Sequence, residues 1–521
     1  MKRRFFWIAG IVAVPAIGAG VLYYLASTYI HKISPYIREQ AVAYMRDRYG
    51  ADVELETFNV DLPGFSPIKL YLTKGEGTMA NVTGSGISVR KGADPLLRMK
   101  SMRFELDLGK LFDTNKNVKR VVLEGVEIVI PPKGEKPVLQ AGQVQLTGTP
   151  KANVVIEEVL INDAKLTILP RDKTKQPLQF DLRKVRLQQA GINVPFRYEA
   201  SVRNAKPPGD VTANGSFGPW NKEEPGETPL SGDYLFEHAD LSVFSAIRGT
   251  LRSTGKFEGK LNALHAKGEA TVPDFALKIS GNKLPLNAKF EAEIDGTNGN
   301  TTLTPVVARL GKTSMVVTGG VIKHDGDTRR TTDLNVVMKA GHLEDVLRLA
   351  MRGEQTFMTG LLDLKARVLV PPLSGKVVEK LKLNGTFTIA EGKFLKSAIQ
   401  DKIDQMSRQA QGQPKNEEID EVVSNLSGRF SMANEQIHFE YLTFAIPGAD
   451  MALEGGYNLD DERLNFKGDV KLKARVSQTQ TGWKRWALKP VDPFFSKNGA
   501  GTYSKITIDG SRKDPHFARA K

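Results

Sequence analysis

The residues best suited to catalysis or metal binding do not form any of the usual motifs in this sequence. The seven histidines fall singly, at positions 31, 238, 265, 324, 342, 438 and 516. None of them forms an H-E-x-x-H motif or an i, i+4 pair that could chelate a metal from one face of a helix. The absence of cysteine removes disulfides, thiol chemistry and cysteine-ligated zinc. We therefore predict no metal site and no cofactor.

Two further catalytic signals are incomplete. Residues Gly249–Lys256 (GTLRSTGK) resemble a phosphate-binding loop, but the glycines are one residue too far apart, and Phe257 stands where serine or threonine is required. No G-x-S-x-G nucleophile elbow is present. Adjacent carboxylates such as Glu157 and Glu158 are expected in turns, in contact with water. The sequence therefore favours a protein that is not an enzyme.

The strongest signal is an apolar stretch at the start of the chain, Phe5–Ile30. A transmembrane helix needs about 20 mainly apolar residues to cross a ~30 Å hydrocarbon core, and aromatic residues concentrate at its two ends. We therefore predict a membrane anchor over residues 1–31. The side chains expected to contact lipid are Phe5, Phe6, Trp7, Ile8, Val12, Val14, Ile17, Val21, Leu22, Tyr23, Tyr24 and Leu25.

A cleaved secretory signal is the alternative to an anchor, because Lys2, Arg3 and Arg4 precede the apolar stretch. Signal peptides have apolar regions of about 7–15 residues, whereas bulky residues continue here through Val21–Leu25. This length favours an uncleaved anchor. Long domains translocate largely regardless of charge, and a short basic tail stays inside most easily. We expect a single-pass protein with a cytoplasmic N-terminus and the bulk of the chain exported.

One short helix and then a long series of strands are predicted after the anchor. Ser34 and Pro35 are typical of a helix start, and an amphipathic helix over residues 35–49 would end at Gly50. From residue 51, apolar and polar residues alternate, which gives each strand one apolar face and one face in water.

The charged residues that give the net charge of +14 are spread singly along these strands. This distribution therefore indicates a solvated face and not nucleic-acid binding.

The alternating residues define the candidate binding surface. A one-sided sheet of this length must cover its apolar face with helices or a second sheet, or curl into an open trough for an apolar ligand. Too few helices are predicted, and alternation alone leaves the other two solutions open. The adjacent membrane anchor favours the trough. The side chains predicted to line it are Phe104, Leu106, Phe290, Ala292, Ile294, Leu362, Leu364, Val368, Val370, Leu464, Phe466, Val470 and Leu472.

The predicted fold is mainly β. It is an elongated, curled antiparallel sheet with an open hydrophobic groove, an N-terminal transmembrane helix and a few short capping helices. Helical periodicity predicts helices over His342–Arg352, Lys396–Gln411 and Glu417–Asn425, the last two as a hairpin. The segment Val122–Ile128 is similar to Leu160–Ile168, each with a small residue at a bend. Dipeptides typical of hairpin turns are Asn214-Gly215, Asp295-Gly296, Asp325-Gly326 and Asn384-Gly385.

Both ends of the chain resemble the AsmA-like family of Gram-negative envelopes. Residues Ile33–Leu72, with YGADVELETFNVDL and SPIKLYL, are similar to the start of these proteins. The family's C-terminal region is resembled by FTIAEGKF (Phe387–Phe394), LTFAIPGAD (Leu442–Asp450), LEGGYNL (Leu453–Leu459) and KPVDPFF (Lys489–Phe495). The C-terminal family motif includes Trp483, Asp492, Pro493, Phe494 and Phe495. The family belongs with the repeating β-groove proteins, which include TamB and the chorein-type lipid transfer proteins.

The resemblance implies a periplasmic protein anchored in the inner membrane that conducts or carries phospholipids along its groove to the outer membrane and supports outer-membrane biogenesis. It implies phospholipid, the inner membrane and outer-membrane or assembly-machinery proteins as partners. The alternative is a non-catalytic scaffold or assembly factor for outer-membrane proteins. The expected division is an anchor (1–31), an amphipathic helix with a chorein-like start of the groove (32–90), the groove body (91–380) and an AsmA-like C-terminal region with a helical hairpin (381–521).

Overall fold

The computed structural model describes residues 52–61, 79–90, 95–107, 115–130, 153–169, 177–190, 194–221, 224–324, 327, 329–353, 355–395, 397–411, 422–472, 502–511 and 514–519. The predicted anchor, the predicted helix over 35–49 and the family motif at 483–495 lie outside these ranges. Within them, no helix combines the length and apolar composition that crossing a membrane requires.

Strands dominate the described residues and helices are few, which confirms the mainly β prediction. The strands are β1 (Asp52–Asp61), β2 (Met79–Arg90), β3 (Pro95–Asp107), β4 (Asn115–Ile130), β5 (Asn153–Ile168), β6 (Leu178–Ala190), β7 (Phe196–Ala205), β8 (Pro208–Phe217), β9 (Pro229–Asp240), β10 (Ile247–Arg248), β11 (Thr250–Lys260), β12 (Ala263–Leu277), β13 (Leu284–Ile294), β14 (Thr301–Leu310), β15 (Thr313–Ile322), β16 (Thr331–His342), β17 (Met358–Val370), β18 (Lys382–Phe394), β19 (Ser424–Ala433), β20 (Gln436–Ile446), β21 (Ala449–Asn458), β22 (Arg463–Leu472), β23 (Thr502–Ser511) and β24 (Asp514–Arg519). The α-helices are α1 (Leu343–Ala350), α2 (Val377–Lys380) and α3 (Ser397–Gln411).

The chain forms two compact units. The first takes its described residues from Met1–Asp240, Leu251–Gly268 and Ile294–Gly299. The second takes them from Leu241–Thr250, Glu269–Glu293 and Asn300–Lys521. The predicted groove body, residues 91–380, therefore contributes strands to both units, and the boundaries expected at residues 90 and 380 stay predictions.

In the first unit, each strand from β1 to β9 pairs with the next strand along the chain. All of these pairs are antiparallel except β4 with β5, which is parallel, so the prediction of a purely antiparallel sheet is wrong here. The repeated segments account for the exception. Val122 lies opposite Leu160 and Ile128 opposite Leu166, in the alignment of the repeat. Both copies bend at a residue with positive φ, 59° at Gly125 and 53° at Asp163.

Alternate side chains of this sheet form a closed core. Val121 and Ile156 are completely buried, and Phe104 is 1% exposed. The β-branched residues suit a pleated surface packed on one side. All three belong to one cluster of buried apolar side chains that extends from β1 to β7. Phe104, one of the predicted groove residues, is therefore part of a packed interior.

Glu158 lies within β5 and not in a turn, so the expectation of a fully solvated carboxylate is wrong. Its side chain is only 14% exposed and accepts hydrogen bonds from Arg120 on β4 and Arg186 on β6, at 2.5 and 2.8 Å. Arg186 also lies 3.8 Å from Glu199 on β7. Burial by itself raises the pKa of Glu158, but the hydrogen bonds and charges of the two arginines outweigh it and lower the pKa. A ladder of opposite charges thus crosses four strands.

We expect Glu158→Gln to lower the free energy of unfolding at pH 7 by about 1–2 kcal/mol, because it removes two charge-assisted hydrogen bonds to partly exposed arginines. A lowered folded-state pKa stabilises the fold above the unfolded pKa, and this contribution disappears as pH falls through the folded value. The difference between wild type and variant should therefore shrink in acid. Denaturant titrations at pH 7 and pH 3 measure this difference in the free energy of unfolding. The control is Glu127→Gln, on the exposed side of β4. If the difference in the free energy of unfolding is the same at both pH values, the lowered pKa of Glu158 is wrong.

The second unit contains an antiparallel meander in which each strand from β14 to β24 pairs with the next. Helices α1 and α3 confirm the predictions over His342–Arg352 and Lys396–Gln411 within two residues at each end. The helix predicted over Glu417–Asn425 is wrong at its end, since β19 begins at Ser424; residues 412–421 lie outside the described part. The turn predicted at Asp295-Gly296 is confirmed.

Candidate binding face of the second unit

The apolar face of the second unit is built from alternate residues on neighbouring strands. Along β17, the half-buried Leu364 and Val368 are separated by exposed polar residues such as Lys365. Strand pairing continues the face sideways, because Leu364 lies opposite Met338 on β16 and Phe387 on β18. Side chains directly opposite each other in an antiparallel pair share one face. The result is a continuous apolar surface across the meander.

Helix α1 packs on part of this face. One cluster of buried side chains joins the helix to the sheet: Met338, Leu343, Met358, Leu362 and Ile389. Asp345 of the helix is 8% exposed and accepts hydrogen bonds from the Lys312 amide at 2.8 Å and the Thr313 hydroxyl at 2.9 Å. These bonds satisfy the buried carboxylate and fix the helix against the connection between β14 and β15.

Helix α3 packs on another part of the same face. Its cluster consists of Ile403, Ala410, Val422, Ile446 and Ala449. Two buried polar side chains of the helix also bond to the surrounding backbone: Gln400 donates to the Val422 carbonyl at 2.9 Å and Ser407 to the Pro447 carbonyl at 2.8 Å. Loss of the Pro447 acceptor would leave the buried Ser407 hydroxyl without a partner for its proton. Both helices are therefore parts of the folded unit.

Beyond the two helix clusters, the face continues as a surface rich in phenylalanine. We call it the aromatic band and define it as Val368, Leu383, Phe387, Phe430, Phe439, Leu464 and Phe466. The ring centroids of Phe387 lie 6.2 Å from those of both Phe430 and Phe439, and Phe439 lies 5.7 Å from Phe466. Except for Phe466, which is 8% exposed, these side chains are only half-buried. The band thus offers apolar surface that the described residues leave partly open.

Two glycines overturn predicted turns, and one of them, Gly385, packs against the aromatic band. Gly215 and Gly385, expected in hairpin turns, lie inside β8 and β18. A Cβ at Gly385 would stand 2.6 Å from the Lys365 carbonyl oxygen and 3.0 Å from the Phe430 ring. Only glycine permits this approach of backbone and ring. The Asn-Gly dipeptide here serves packing within a strand and does not reverse the chain.

The structure places the predicted groove residues in two environments. Buried side chains are Phe104, Ala292, Leu362 and Phe466. Half-buried side chains are Phe290, Ile294, Leu364, Val368, Val370, Leu464, Val470 and Leu472. Leu106 lies in β3, opposite Ala80 and Val118. Only Val368, Leu464 and Phe466 of the thirteen belong to the aromatic band.

Sequence patterns missed three phenylalanines of the band. The register between β19 and β20 shifts between Arg429 and Phe430, because one extra residue, Glu440, separates their partners Tyr441 and Phe439 on β20. This irregularity breaks the period of two on which the prediction relied. Phe387, which alternates with Leu383 and Gly385, is not among the predicted groove residues. Gly385 and Gly428 also interrupt the apolar pattern in the sequence. In the structure, the ring of Phe430 fills the space beside Gly385, and the ring of Phe387 fills the space beside Gly428.

The chemistry available to this face is apolar contact. Its lining consists of hydrocarbon side chains without a nucleophile or acid–base pair. Across the described ranges, no group of three histidine, aspartate or glutamate side chains converges as a metal ion would require. Half-buried phenylalanine and branched aliphatic side chains suit a ligand with a hydrocarbon chain. Neither a protein-family model, nor a curated protein, nor a solved structure matches this chain.

Proposed function

We propose that this protein conducts or carries phospholipids, with their acyl chains on the apolar face and their headgroups in water. The observation that carries the proposal is the aromatic band, a connected apolar surface that no second layer within the described residues buries completely. An apolar surface of this kind normally marks a ligand groove or a membrane contact.

The dimensions of the band agree with an acyl chain. The band crosses β17 to β22, and five strand spacings of ~4.8 Å give a length of about 24 Å. A single acyl chain occupies half of a ~30 Å hydrocarbon core, or about 15 Å. Each methylene removed from water contributes about 0.8 kcal/mol. A chain on the band is therefore far more stable than one in water, and it can slide along the sheet without leaving apolar contact.

The remaining parts of the proposal come from the sequence. We infer that residues 1–31 anchor the protein in the inner membrane, that the bulk of the chain is periplasmic, and that the sheet is curled into an elongated groove, as the resemblance to AsmA-like proteins implies. Transport between the inner and outer membranes would support outer-membrane biogenesis. Partners at the outer membrane or in its assembly machinery fit the same arrangement.

Photocrosslinking in vivo tests the proposal. A photoreactive residue at Leu364 or Leu464, on the apolar face, should crosslink phospholipid, which mass spectrometry of the purified full chain identifies. The matched controls are Lys365 and Asn465, the next residues along the same strands, which are exposed on the polar face. Equal lipid yields from the two faces would overturn the proposal. Crosslinks to protein alone from Leu364 and Leu464 would support the assembly-factor alternative.

A further inference from the structure

The first unit contains a hollow of about 770 Å³ on the polar face of its sheet. Side chains of β6, β7, β8, β9, β11 and β12 line it. The lining includes exposed residues such as Arg197, Asp233 and Lys267, together with the half-buried rings of Tyr198 and Phe257. The volume lies within the range of small-molecule sites. This hollow is independent of the apolar face on which the proposed function rests.

The charges in the hollow are unevenly distributed. Arg186, at one end, already bonds to Glu158 outside the hollow. At the other end, Gly255 lies against the Lys267 carbonyl and Gly259 against the Ala263 carbonyl. These two contacts mean that β11 and β12 run antiparallel. Lys256 therefore lies beside Lys267. Like charges on adjacent positions of neighbouring strands destabilise a sheet. This end of the hollow therefore carries an electrostatic arrangement that folding alone does not favour.

One carboxylate compensates only part of this positive charge. Asp233 on β9 forms an ion pair with Lys256 at 3.2 Å. The side chains of Lys267 and His265 make no hydrogen bond or ion pair with any residue in the described ranges. Glu258 and Glu199 are the other carboxylates of the lining. An anion placed between Lys256 and Lys267 would remove the repulsion between the two ammonium groups.

Beside the lysines, the hollow has a neutral floor that can donate and accept hydrogen bonds. Asn214 and Ser216 on β8 and Ser231 on β9 line it. Their side chains have no hydrogen-bond partner among the described residues. Gly215 and Gly232 lie between them on adjacent strands. The floor on β8 and the lysine on β12 are separated by about three strand spacings, so the hollow is roughly 14 Å wide between them.

We propose that this hollow binds a sugar phosphate: a polyhydroxylated ring carrying a phosphoryl group. The phosphoryl oxygens lie between Lys256 and Lys267, and the ring hydroxyls bond to Asp233, Asn214 and Ser231. Amide, hydroxyl and carboxylate side chains suit hydroxyl groups, while paired ammonium groups suit a phosphate. The same chemistry occurs in a free sugar phosphate and in the headgroup of a lipid such as phosphatidylinositol.

Calorimetric titration of the full chain, in a non-ionic detergent that has no sugar headgroup, tests the site. Glucose 1-phosphate should bind with one-to-one stoichiometry, at least tenfold more tightly than inorganic phosphate or glucose. Lys267→Gln should weaken this binding at least tenfold. The control is Lys165→Gln, which removes an exposed lysine on β5 outside the hollow and should leave binding unchanged. Thermal melting should show that both variants are folded, with Lys267→Gln at least as stable as wild type because it removes the repulsion between the two lysines.

The source of the sugar phosphate is decided by competition. Mixed micelles with phosphatidylinositol displace glucose 1-phosphate if the hollow accepts a lipid headgroup, and do not displace it if the ligand is soluble. Binding that Lys267→Gln leaves intact, or equal affinity for phosphate and glucose 1-phosphate, overturns the proposal. Because lipid photocrosslinking from Leu364 is measured separately, this result stands or fails independently of the proposed acyl-chain transport.

Discussion

Replacing Val368 and Phe439 together by aspartate is expected to reduce phospholipid crosslinking from Leu464 by about a hundredfold. Both residues belong to the aromatic band, on β17 and β20. Each carboxylate brings bound water to the band and removes contact with about two methylenes. The four methylenes lost at the two sites together correspond to about 3 kcal/mol, or about two powers of ten in occupancy. Mass spectrometry of the crosslinked lipid gives the yield.

The matched control places the same two charges on the opposite face. Asn384→Asp and Asn465→Asp lie on exposed positions of β18 and β22, and Asn384 lies opposite Arg367, where a carboxylate is favourable. This control should retain the wild-type crosslinking yield. A scaffold that acts through its strand edges would tolerate both double variants equally. Equal yields from the two double variants would falsify the role of the aromatic band.

The sequence predicts the strands well because their signal is local. Leu362, Leu364 and Val368 alternate with exposed residues, and this period holds in β17 from Leu361 to Val368. The parallel pairing of β4 and β5 could not be predicted in the same way, because alternation does not encode strand direction. The similarity between Val122–Ile128 and Leu160–Ile168 was the available signal. Two identical bends align best when the strands run in the same direction.

The environment of each apolar side chain is less predictable than its strand. Phe104 and Phe439 are both phenylalanines within strands, yet the first is 1% exposed and the second half-buried. Burial depends on what approaches the face from other parts of the chain, which a period of two does not report. Gly385 shows the same limit, since its role depends on Phe430, 45 positions further along the chain. The sequence therefore predicts which face of the sheet is apolar, but not which side chains on that face stay partly exposed.

The difference in burial between Phe104 and Phe439 predicts that the same substitution to alanine destabilises the fold to different extents. We expect Phe104→Ala to lower the free energy of unfolding by about 3–5 kcal/mol, the range for a large aromatic residue in a packed core. Phe439→Ala should lower it by about 1–2 kcal/mol, because the side chain is already partly in water. Denaturant titration of the full chain measures both values.

Lipid crosslinking from Leu364 should show the reverse order. Phe439→Ala removes a ring from the aromatic band and should reduce the yield several-fold, since the ring contacts about two methylenes worth about 0.8 kcal/mol each. Phe104→Ala, measured at a temperature at which the variant is folded, should leave the yield unchanged, because Phe104 belongs to the core of the first unit. If Phe104→Ala reduces the yield as much as Phe439→Ala, acyl chains reach the first unit's core and the separation of core from ligand face is wrong.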